Sequence, residues 1–216
     1  MSDTFYQTDT SDMLIPHNML RSALASANGI FEESTGDTER VAAIGSYFDN
    51  ILRFLDVHHE GEDLLLWPVL AKRATSEAGL IASMQAEHKA IEERRDEAGS
   101  ALDAWLRSPG PDTARRTKGA LEGLRVTLNA HLSHEETDLL PVASRYISPE
   151  EWAALPGHAM AHFTGDKMWL ILGLILEQMT PEQRAAVLKL LPQPAAEMWA
   201  TSGNAAFDDF IARVRG

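Results

Sequence analysis

Two short segments of the chain each place a histidine and a glutamate four residues apart. In the first, His58 is followed by Glu62, and in the second, His131 is followed by Glu135; in both, a proline lies six residues beyond the glutamate. Residues i and i+4 of an α-helix lie on one face, about 5–6 Å apart at Cβ. Each segment therefore directs one nitrogen and one oxygen ligand the same way. Two such segments facing each other across a helix bundle would form a metal site.

Two further histidines lie on apolar helix faces. His17 is followed at helical spacing by Leu20 and Leu24, and His88 is preceded one turn earlier by Met84. A single histidine on such a face is more often a hydrogen-bonded core residue than a ligand. Four histidines together with two carboxylates favour the interpretation as metal ligands, because uncompensated burial of two carboxylates is very costly. A pair of divalent metal ions would satisfy all six groups.

The hydrophobic pattern indicates that these residues lie on long helices. Apolar residues recur at intervals of three and four, and we find no alternating segment of strand length. The four long predicted helices span residues 12–33, 39–73, 76–107 and 113–146. Long amphipathic helices with short connections are typical of an all-α, up-down-up-down four-helix bundle.

A few residues mark where the predicted helices begin or bend. Thr38 is the expected N-cap of the second helix, after a turn at residues 34–37. Asp112 or Thr113 is the expected cap of the fourth helix. Pro68 is expected to bend the second helix rather than end it, since apolar spacing continues beyond the proline.

The rest of the chain predicts a C-terminal helical extension. Ser148-Pro149 is a typical helix start, and the residues after it predict two or three further helices, with breaks at Thr180-Pro181 and at residues 191–194. We therefore divide the chain into a bundle over residues 12–147 and an extension over residues 148–216.

One stripe of this extension, between Phe163 and Ile175, is too apolar to face solvent. It is expected to pack on the bundle, on the last helix, or on another subunit, as in a homodimer formed through the C-terminal helices. As a cover, it would also control entry to the metals.

The composition narrows the chemistry that the chain can perform. It contains no cysteine, so any metal would be held by nitrogen and oxygen, which suits iron, manganese or zinc. The net charge of −13 argues against binding to nucleic acid and to anionic membranes. Residues 1–10 show no signal-peptide pattern, and the longest apolar run, residues 168–176, is too short to span a membrane. We expect a cytoplasmic protein.

Four separated motifs carry a family resemblance. They are His17 in the first helix, His58-His59-x-x-Glu62-Asp63-x-x-Leu66-Trp67-Pro68, Glu87-His88, and His131-x-x-x-Glu135-Glu136-x-x-Leu139-Leu140-Pro141. Over residues 12–146 the chain thus resembles the hemerythrin family, the HHE cation-binding domains. The resemblance implies a four-helix bundle around two non-haem iron ions, with histidine ligands from all four helices and with Glu62 and Glu135 as bridging carboxylates. It also implies end-on oxygen binding at the iron that is left five-coordinate.

The chain departs from the family's oxygen carriers on the third helix. Those proteins place two histidines there, four residues apart, whereas this chain has only His88, with Met84 at −4 and Glu92 at +4. Either Glu92 replaces the missing nitrogen with oxygen, or water fills the position, or one iron binds weakly. A more open site would favour turnover with oxygen or peroxide, or iron sensing, over simple oxygen carriage.

Other polar residues beside the motifs are expected to play supporting parts. His59 and Asp63 are rotated by about 100° from His58 and Glu62 on the helix. They are either partners that orient the ligands or part of a solvated helix edge. His134 is expected to point away from the site, either as a partner that orients a ligand or at the surface. Glu60 and Glu136 are interpreted most simply as exposed charges.

The extension contains one more histidine pair, His158 and His162, at i and i+4. Such a pair can chelate a metal, but the sequence around it shows no third ligand. It is therefore weak evidence for a second site.

Three functions remain open from the sequence. The first is a di-iron protein that binds oxygen or a related small diatomic such as nitric oxide, for storage, sensing or detoxification. The second is a di-iron oxidase or peroxide-consuming enzyme. The third is a metal-loaded regulatory module whose C-terminal helices contact a partner.

Overall fold

A computed structural model describes residues 5–31, 36–163 and 166–216, with only the backbone of Asp166 and Lys167. Within these residues the chain is helical and contains no strand. The helices are α1 (Leu14–Ala25), α2 (Ala27–Ile30), α3 (Thr38–Leu65), α4 (Trp67–Arg73), α5 (Ala78–Arg107), α6 (Pro111–His134), α7 (Leu140–Tyr146), α8 (Pro149–Trp152), α9 (Ala154–His162), α10 (Asp166–Glu177), α11 (Pro181–Leu190), α12 (Gln193–Met198) and α13 (Asn204–Arg215). The predicted end of the first helix at Glu33 and the start of the turn at Ser34-Thr35 lie outside the described residues.

The second predicted helix appears as α3 and α4, with a break at Leu66. Asp37, not Thr38, caps α3, because its carboxylate accepts hydrogen bonds from the backbone N–H groups of Glu39 and Arg40. The break immediately precedes Trp67-Pro68, where proline has no N–H to continue the ladder. The two helices together cover the predicted segment, but the segment is interrupted at Leu66 rather than continuous through Pro68 as we expected.

The third predicted helix is α5, and the fourth begins two residues earlier than expected. Gly110 is the N-cap of α6, with Pro111 as its first residue. Proline suits this position because the first turn of a helix does not use its N–H groups internally. The Thr113 hydroxyl donates to the carbonyl oxygens of Ser108 and Gly110, so Thr113 and Asp112 do not act as the predicted cap.

The fourth predicted helix is also interrupted, which the sequence did not lead us to expect. A π-helical turn at Glu135–Leu139 separates α6 from α7. Pro141 lies just after this turn, and proline can neither donate to the fourth preceding carbonyl nor pack against it. The wider turn accommodates this loss, and it carries Glu135 towards the core.

Contacts at both ends fix the relative directions of the central helices. Between α5 and α6, Thr117 donates to the Ala101 carbonyl at 2.9 Å, and the His131 ring lies 3.0 Å from Glu87. These pairs run in opposite directions along the two helices, so α5 and α6 are antiparallel. The pairs Asp56–Arg95 and Asp63–His88 show the same for α3 and α5.

The C-terminal segment contains more helices than predicted but breaks at the expected places. Ser148 and Thr180 both form capping boxes, with Glu151 and Gln183 respectively. The chain leaves helical structure at Leu191-Pro192, as predicted. None of the helices among the described residues combines the length and the apolar character that a membrane span requires.

The apolar stripe of the extension packs on the bundle and on the last helix. Helix α10 contacts α1, α3 and α13, and α13 also contacts α3. Buried α10 residues such as Ile171 and Leu174 belong to the same apolar cluster as Leu20 and Phe48 of the bundle. The extension and the bundle therefore share one continuous core.

Two apolar clusters fill the interior, and polar residues separate them along the helices. On α3, Val57 belongs to the larger cluster, while Leu66 just beyond α3 belongs to the smaller one. On α5, Met84 lies in the smaller cluster and Ile91 in the larger one. His58, Glu62 and His88 fall between these residues. His17, His131 and Glu135 likewise lie between residues of the larger cluster and residues of the smaller one. The predicted ligands thus form one layer across the core.

Gly173 allows the close approach of α10 to α13. A Cβ at this position would overlap the ring of Phe207, whereas a Cβ at Gly119 on α6 would meet nothing within 4 Å. We expect Gly173→Ala to lower the free energy of unfolding by about 1–3 kcal/mol through overpacking. Gly119→Ala, the control, should raise it by up to about 1 kcal/mol. Urea unfolding measures both, and equal stability of Gly173→Ala and wild type would contradict this packing.

Candidate metal centre

Five histidines and two glutamates from α1, α3, α5, α6 and the π-helical turn converge at the polar layer. Their ligand atoms form two groups, within each of which all atoms lie within 4.8 Å of one another. The three-histidine group is His59, Glu62, His88 and His131. The two-histidine group is His17, His58, Glu62 and Glu135. Glu62 belongs to both groups, so the two share a carboxylate.

The ligand atoms of these groups are buried and have no hydrogen-bond partner among the described residues. This holds for the Nε2 atoms of all five histidines and for both carboxylate oxygens of Glu62 and of Glu135. Both glutamates are fully buried. Buried polar atoms in proteins are nearly always paired, and an unpaired buried charge is costly. A pair of cations would satisfy all nine atoms at once, so this donor set fits a two-metal centre.

The nitrogen and oxygen atoms of these groups lie 3.3–3.8 Å apart, which is longer than usual for a hydrogen bond between imidazole and carboxylate. His17 Nε2 lies 3.3 Å from a Glu135 oxygen, and His88 Nε2 lies 3.3 Å from a Glu62 oxygen. The other Glu62 oxygen lies 3.5 Å from His58 Nε2. Glu135 also comes within 3.8 Å of a histidine of the other group, His131. Both glutamates therefore reach towards both groups, Glu62 more closely.

Carboxylates behind the rings orient three of the histidines. The Nδ1 atom of His17 lies 2.8 Å from Glu136, and that of His131 lies 3.0 Å from Glu87. A neutral imidazole that donates from Nδ1 keeps a free lone pair on Nε2. Such a partner also fixes the ring orientation and raises the basicity of the ligand. The histidines are thus positioned to present Nε2 to a metal.

Asp63 orients the ring of the third histidine, His88. It lies 3.0 Å from His88 Nδ1 and also accepts a hydrogen bond from Trp67 Nε1. The ring of His88 stacks on that of His59, with centroids 4.0 Å apart and planes 12° apart. This stacking aligns the two rings within the three-histidine group.

Two histidines hold protons strongly because carboxylates surround them. Burial alone would lower the pKa of His17, but Glu135 and Glu136 outweigh it and raise the pKa to about 9. At His88 burial is likewise outweighed, by Asp63 and Glu62, and the pKa is again raised to about 9. In the metal-free protein these protons supply the positive charge that the buried carboxylates need.

Burial and neighbouring charges also shift the pKa values of His58, His59 and Glu62. Burial and then the charge of His17 lower the pKa of His58 to about 3. Burial and the neighbouring His88 hold the pKa of His59 well below its usual value. Burial and the nearby Glu135 raise the pKa of Glu62 to about 7. The layer thus has more carboxylate charge than it can stabilise without protons or metal ions.

The structure brings together all six residues that the sequence singled out as ligands and adds His59. We expected His59 in a supporting position or at a solvated edge, but its ring is buried and its Nε2 lies in the three-histidine group. Glu92 is exposed on α5 and lies in neither group, so the structure does not place it as the replacement ligand. His59 thus gives this group a third imidazole, supplied from α3 rather than from α5.

Two carboxylates that orient ligand histidines, Glu136 and Glu87, were not predicted in this role from the sequence. Glu136 was expected to be an exposed charge, yet it lies between His17 and Arg21, whose guanidinium donates to it at 2.6 Å. Glu87 lies against both His131 and His134, and its pairing depends on the packing of α5 on α6. The only local signal was their position immediately beside a ligand residue.

An apolar cavity of about 350 Å³ reaches the edge of the two-histidine group. His58 is the one residue of the two groups among those that line it. The walls come from α3, from α9 and α10, and from the start of α1. Phe54, Phe163, Ile171 and Ile175 are representative of the lining. The extension thus encloses a space that opens onto the polar layer.

The number of ions bound should distinguish His59 from Glu92 as the ligand. We expect His59→Ala to bind one divalent ion fewer per chain or to bind it at least about 10-fold more weakly, because an Nε2 donor is lost. Glu92→Ala, the matched control, should bind as wild type does. Equilibrium dialysis with elemental analysis measures this. Full metal content and affinity in His59→Ala would contradict the assignment.

Metal loading should release protons. At pH 7 His17 and His88 are positively charged imidazolium groups, because the pKa of each is raised to about 9. Glu62 is about half protonated, because its pKa is raised to about 7. Binding of divalent ions should therefore release about two to three protons per chain at pH 7. The release should fall to about one proton near pH 9 and become small only well above that pH, where affinity should be higher since protons no longer compete. Calorimetry in buffers of different ionisation enthalpy measures it; release of less than one proton at pH 7 would contradict the charge balance.

Comparison with known proteins identifies a cation-binding family. The family model of the hemerythrin HHE cation binding domain matches residues 8–143. This segment contains all seven residues of the two groups and most of the predicted bundle. No curated protein and no solved structure matches the chain. Because the family model covers more than half of its length, the chain belongs to the hemerythrin HHE cation-binding family.

Proposed function

We propose that this protein holds two non-haem iron ions in the two ligand groups and binds dioxygen or a related small diatomic such as nitric oxide. Storage, sensing and detoxification are all consistent with such binding. The observation that carries the proposal is the apolar cavity against His58, on the side of the group that has fewer histidines. Family membership and the nine unpaired buried ligand atoms support the metal centre itself.

The donor set suits iron. It combines imidazole nitrogen and carboxylate oxygen without thiolate, a mixture that iron accepts and that zinc or manganese also accept. Two ferrous ions, when bound, supply the two electrons that reversible dioxygen binding draws on. The protein contributes the ligand positions, a shared carboxylate at Glu62 and the exclusion of water.

The two groups contain four residues each but differ in how many of these are histidines. One group has three histidines, and the other has two histidines, with Glu62 and Glu135 reaching both. His17 and His58 would therefore give a bound ion one imidazole fewer and leave it the more open to a small ligand. Since His58 also borders the cavity, the open side and the apolar space lie together.

The cavity selects ligands by polarity. Its walls are carbon-rich, and Phe54, Phe163 and Ile171 lie among them. A neutral diatomic enters such a space without losing hydrogen bonds, whereas a hydrated ion would pay its desolvation cost. Helices α9 and α10 thereby act as a cover that admits small apolar molecules to the centre.

We also propose that the N-terminal part of the chain is the four-helix bundle expected from the sequence. We place α1, α3, α5 and α6 as the four helices of an up-down-up-down bundle, each of which supplies at least one ligand. The antiparallel pairs α3–α5 and α5–α6 support this arrangement. A cytoplasmic location and a homodimer through the C-terminal helices stay predictions from the sequence.

A di-iron oxidase or peroxide-consuming enzyme is the second candidate. The observation that favours it is the size of the cavity, because about 350 Å³ could hold an organic molecule as well as a diatomic. The sequence predicted that a missing third-helix histidine would leave the site open to turnover, whereas the structure adds the imidazole of His59 to that group. Repeated consumption of oxygen or peroxide would distinguish the enzyme from the binding protein.

Optical spectroscopy of the reduced, iron-loaded protein tests the proposal. Oxygen should produce a charge-transfer absorption band that disappears under vacuum and returns on readmission, because the buried centre excludes the water that would promote oxidation. The proposal would be wrong if oxygen produced no band. It would also be wrong if the absorption changed rapidly and irreversibly and the protein consumed peroxide over many turnovers. Purified protein that takes up no iron would also overturn it.

A variant that fills the cavity tests the entry route in the same assay. Ala159 lines the cavity from α9, whereas Ala154 on the same helix is exposed and does not line it. Ala159→Trp should slow oxygen association at least about 10-fold, a change of about 1.4 kcal/mol in the barrier, with iron content unchanged. Ala154→Trp is the matched control. Equal association rates in the two variants would place the route elsewhere.

A further inference from the structure

A third cluster of metal-ligating side chains joins the extension to the bundle. Glu60 of α3 and His158 and His162 of α9 place one ligand atom each within 4.8 Å of one another. From the sequence, the histidine pair had no visible third ligand. The packing of α9 on α3 supplies one, because Glu60 faces α9 while its neighbours His59 and Glu62 face the buried layer.

The two histidines present free nitrogens to this carboxylate. Their Nε2 atoms lie 3.7 Å and 3.8 Å from the same Glu60 oxygen, for His158 and His162 respectively. The His158 Nε2 is buried and has no hydrogen-bond partner among the described residues. These distances are too long for hydrogen bonds, but donors that share a zinc ion at about 2.0–2.2 Å lie about 3–4 Å apart.

The tautomer of His162 is suited to metal binding. Its Nδ1 lies 3.0 Å from the carbonyl oxygen of His158, and a carbonyl can only accept, so Nδ1 carries the proton. The Nε2 of a neutral His162 is therefore unprotonated and faces Glu60. A backbone carbonyl that holds Nδ1–H is the usual way in which a metal-ligating histidine is oriented.

We propose that Glu60, His158 and His162 form a second, separate metal site for a divalent cation of the zinc class. Two imidazoles and one carboxylate are an accepted zinc ligand set, with water at the fourth position. The half-exposed Glu60 leaves that position open to solvent, and the net charge of −13 favours cations.

Such an ion would fasten α9 to the bundle. Gly61 permits the close approach of the two helices, since a Cβ there would lie 3.1 Å from the His158 ring. Both Gly61 and His158 line the apolar cavity beside the buried layer. Occupancy of the site therefore holds one wall of that cavity in place and links its closure to the supply of a divalent cation.

Zinc titration of the full chain tests the site without reference to iron. At saturating Zn²⁺, His162→Gln and Glu60→Gln should each bind one ion fewer per chain than wild type, by equilibrium dialysis with elemental analysis. Glu93→Gln, an exposed glutamate on α5, is the matched control and should bind the wild-type number. His162 is partly exposed, so its variant should keep the wild-type circular dichroism.

Hydrogen exchange gives a second, local readout. At free Zn²⁺ 100 times the dissociation constant, exchange of the α9 amides should slow by up to about 100-fold in wild type and remain unchanged in His162→Gln. An unchanged zinc count in both variants would overturn the site. A lost ion without any protection of α9 would overturn the fastening role.

Discussion

The carboxylates of Glu62 and Glu135 lie in the middle of the protein, fully buried, with no hydrogen-bond partner for any of their four oxygens among the described residues. Two such charges so close together would be strongly destabilising on their own. Five imidazoles surround them, and the raised pKa values of His17 and His88 show that protons provide the missing positive charge when metal is absent. Metal ions would replace those protons with greater charge at the same positions. The rest of the structure serves to hold this layer in place.

The surrounding helices satisfy that constraint in two ways. Apolar clusters lie on both sides of the layer and keep water out, and carboxylates of Glu87, Glu136 and Asp63 hold the outer nitrogens of the rings. The C-terminal helices complete the enclosure on the side of His58, where they also leave an apolar cavity. The extension therefore lines the space beside His58 together with the bundle.

The sequence predicted the helices and most of the ligand layer for a clear physical reason. Histidine and glutamate at i and i+4 on an apolar stripe must face the core together, so His58, Glu62, His131 and Glu135 could be found by spacing alone. The lone histidines His17 and His88 followed from their apolar neighbours. The cap of α3 and the start of α6 were misplaced by one or two residues, because neighbouring residues offered competing capping signals.

What the sequence did not predict depends on tertiary packing. His59 is rotated by about 100° from His58, so a single inward face could not accommodate both. Both rings are nevertheless turned inwards, because α3 contacts α1, α5, α9 and α10 and buries a wide arc of its surface. The pairing of Glu87 with His131, and of Glu60 with His158, likewise joins residues far apart in the chain. The π-helical turn at Glu135 has no local signal except the proline that follows it.

Anomalous diffraction from crystals loaded anaerobically with ferrous iron would test the two-ion centre most directly. We predict two iron peaks inside the layer, one beside His88 and His131 and one beside His17 and His58. They should lie about 3.5–4 Å apart, with Glu62 between them. A single peak, or iron bound only outside the layer, would contradict the account.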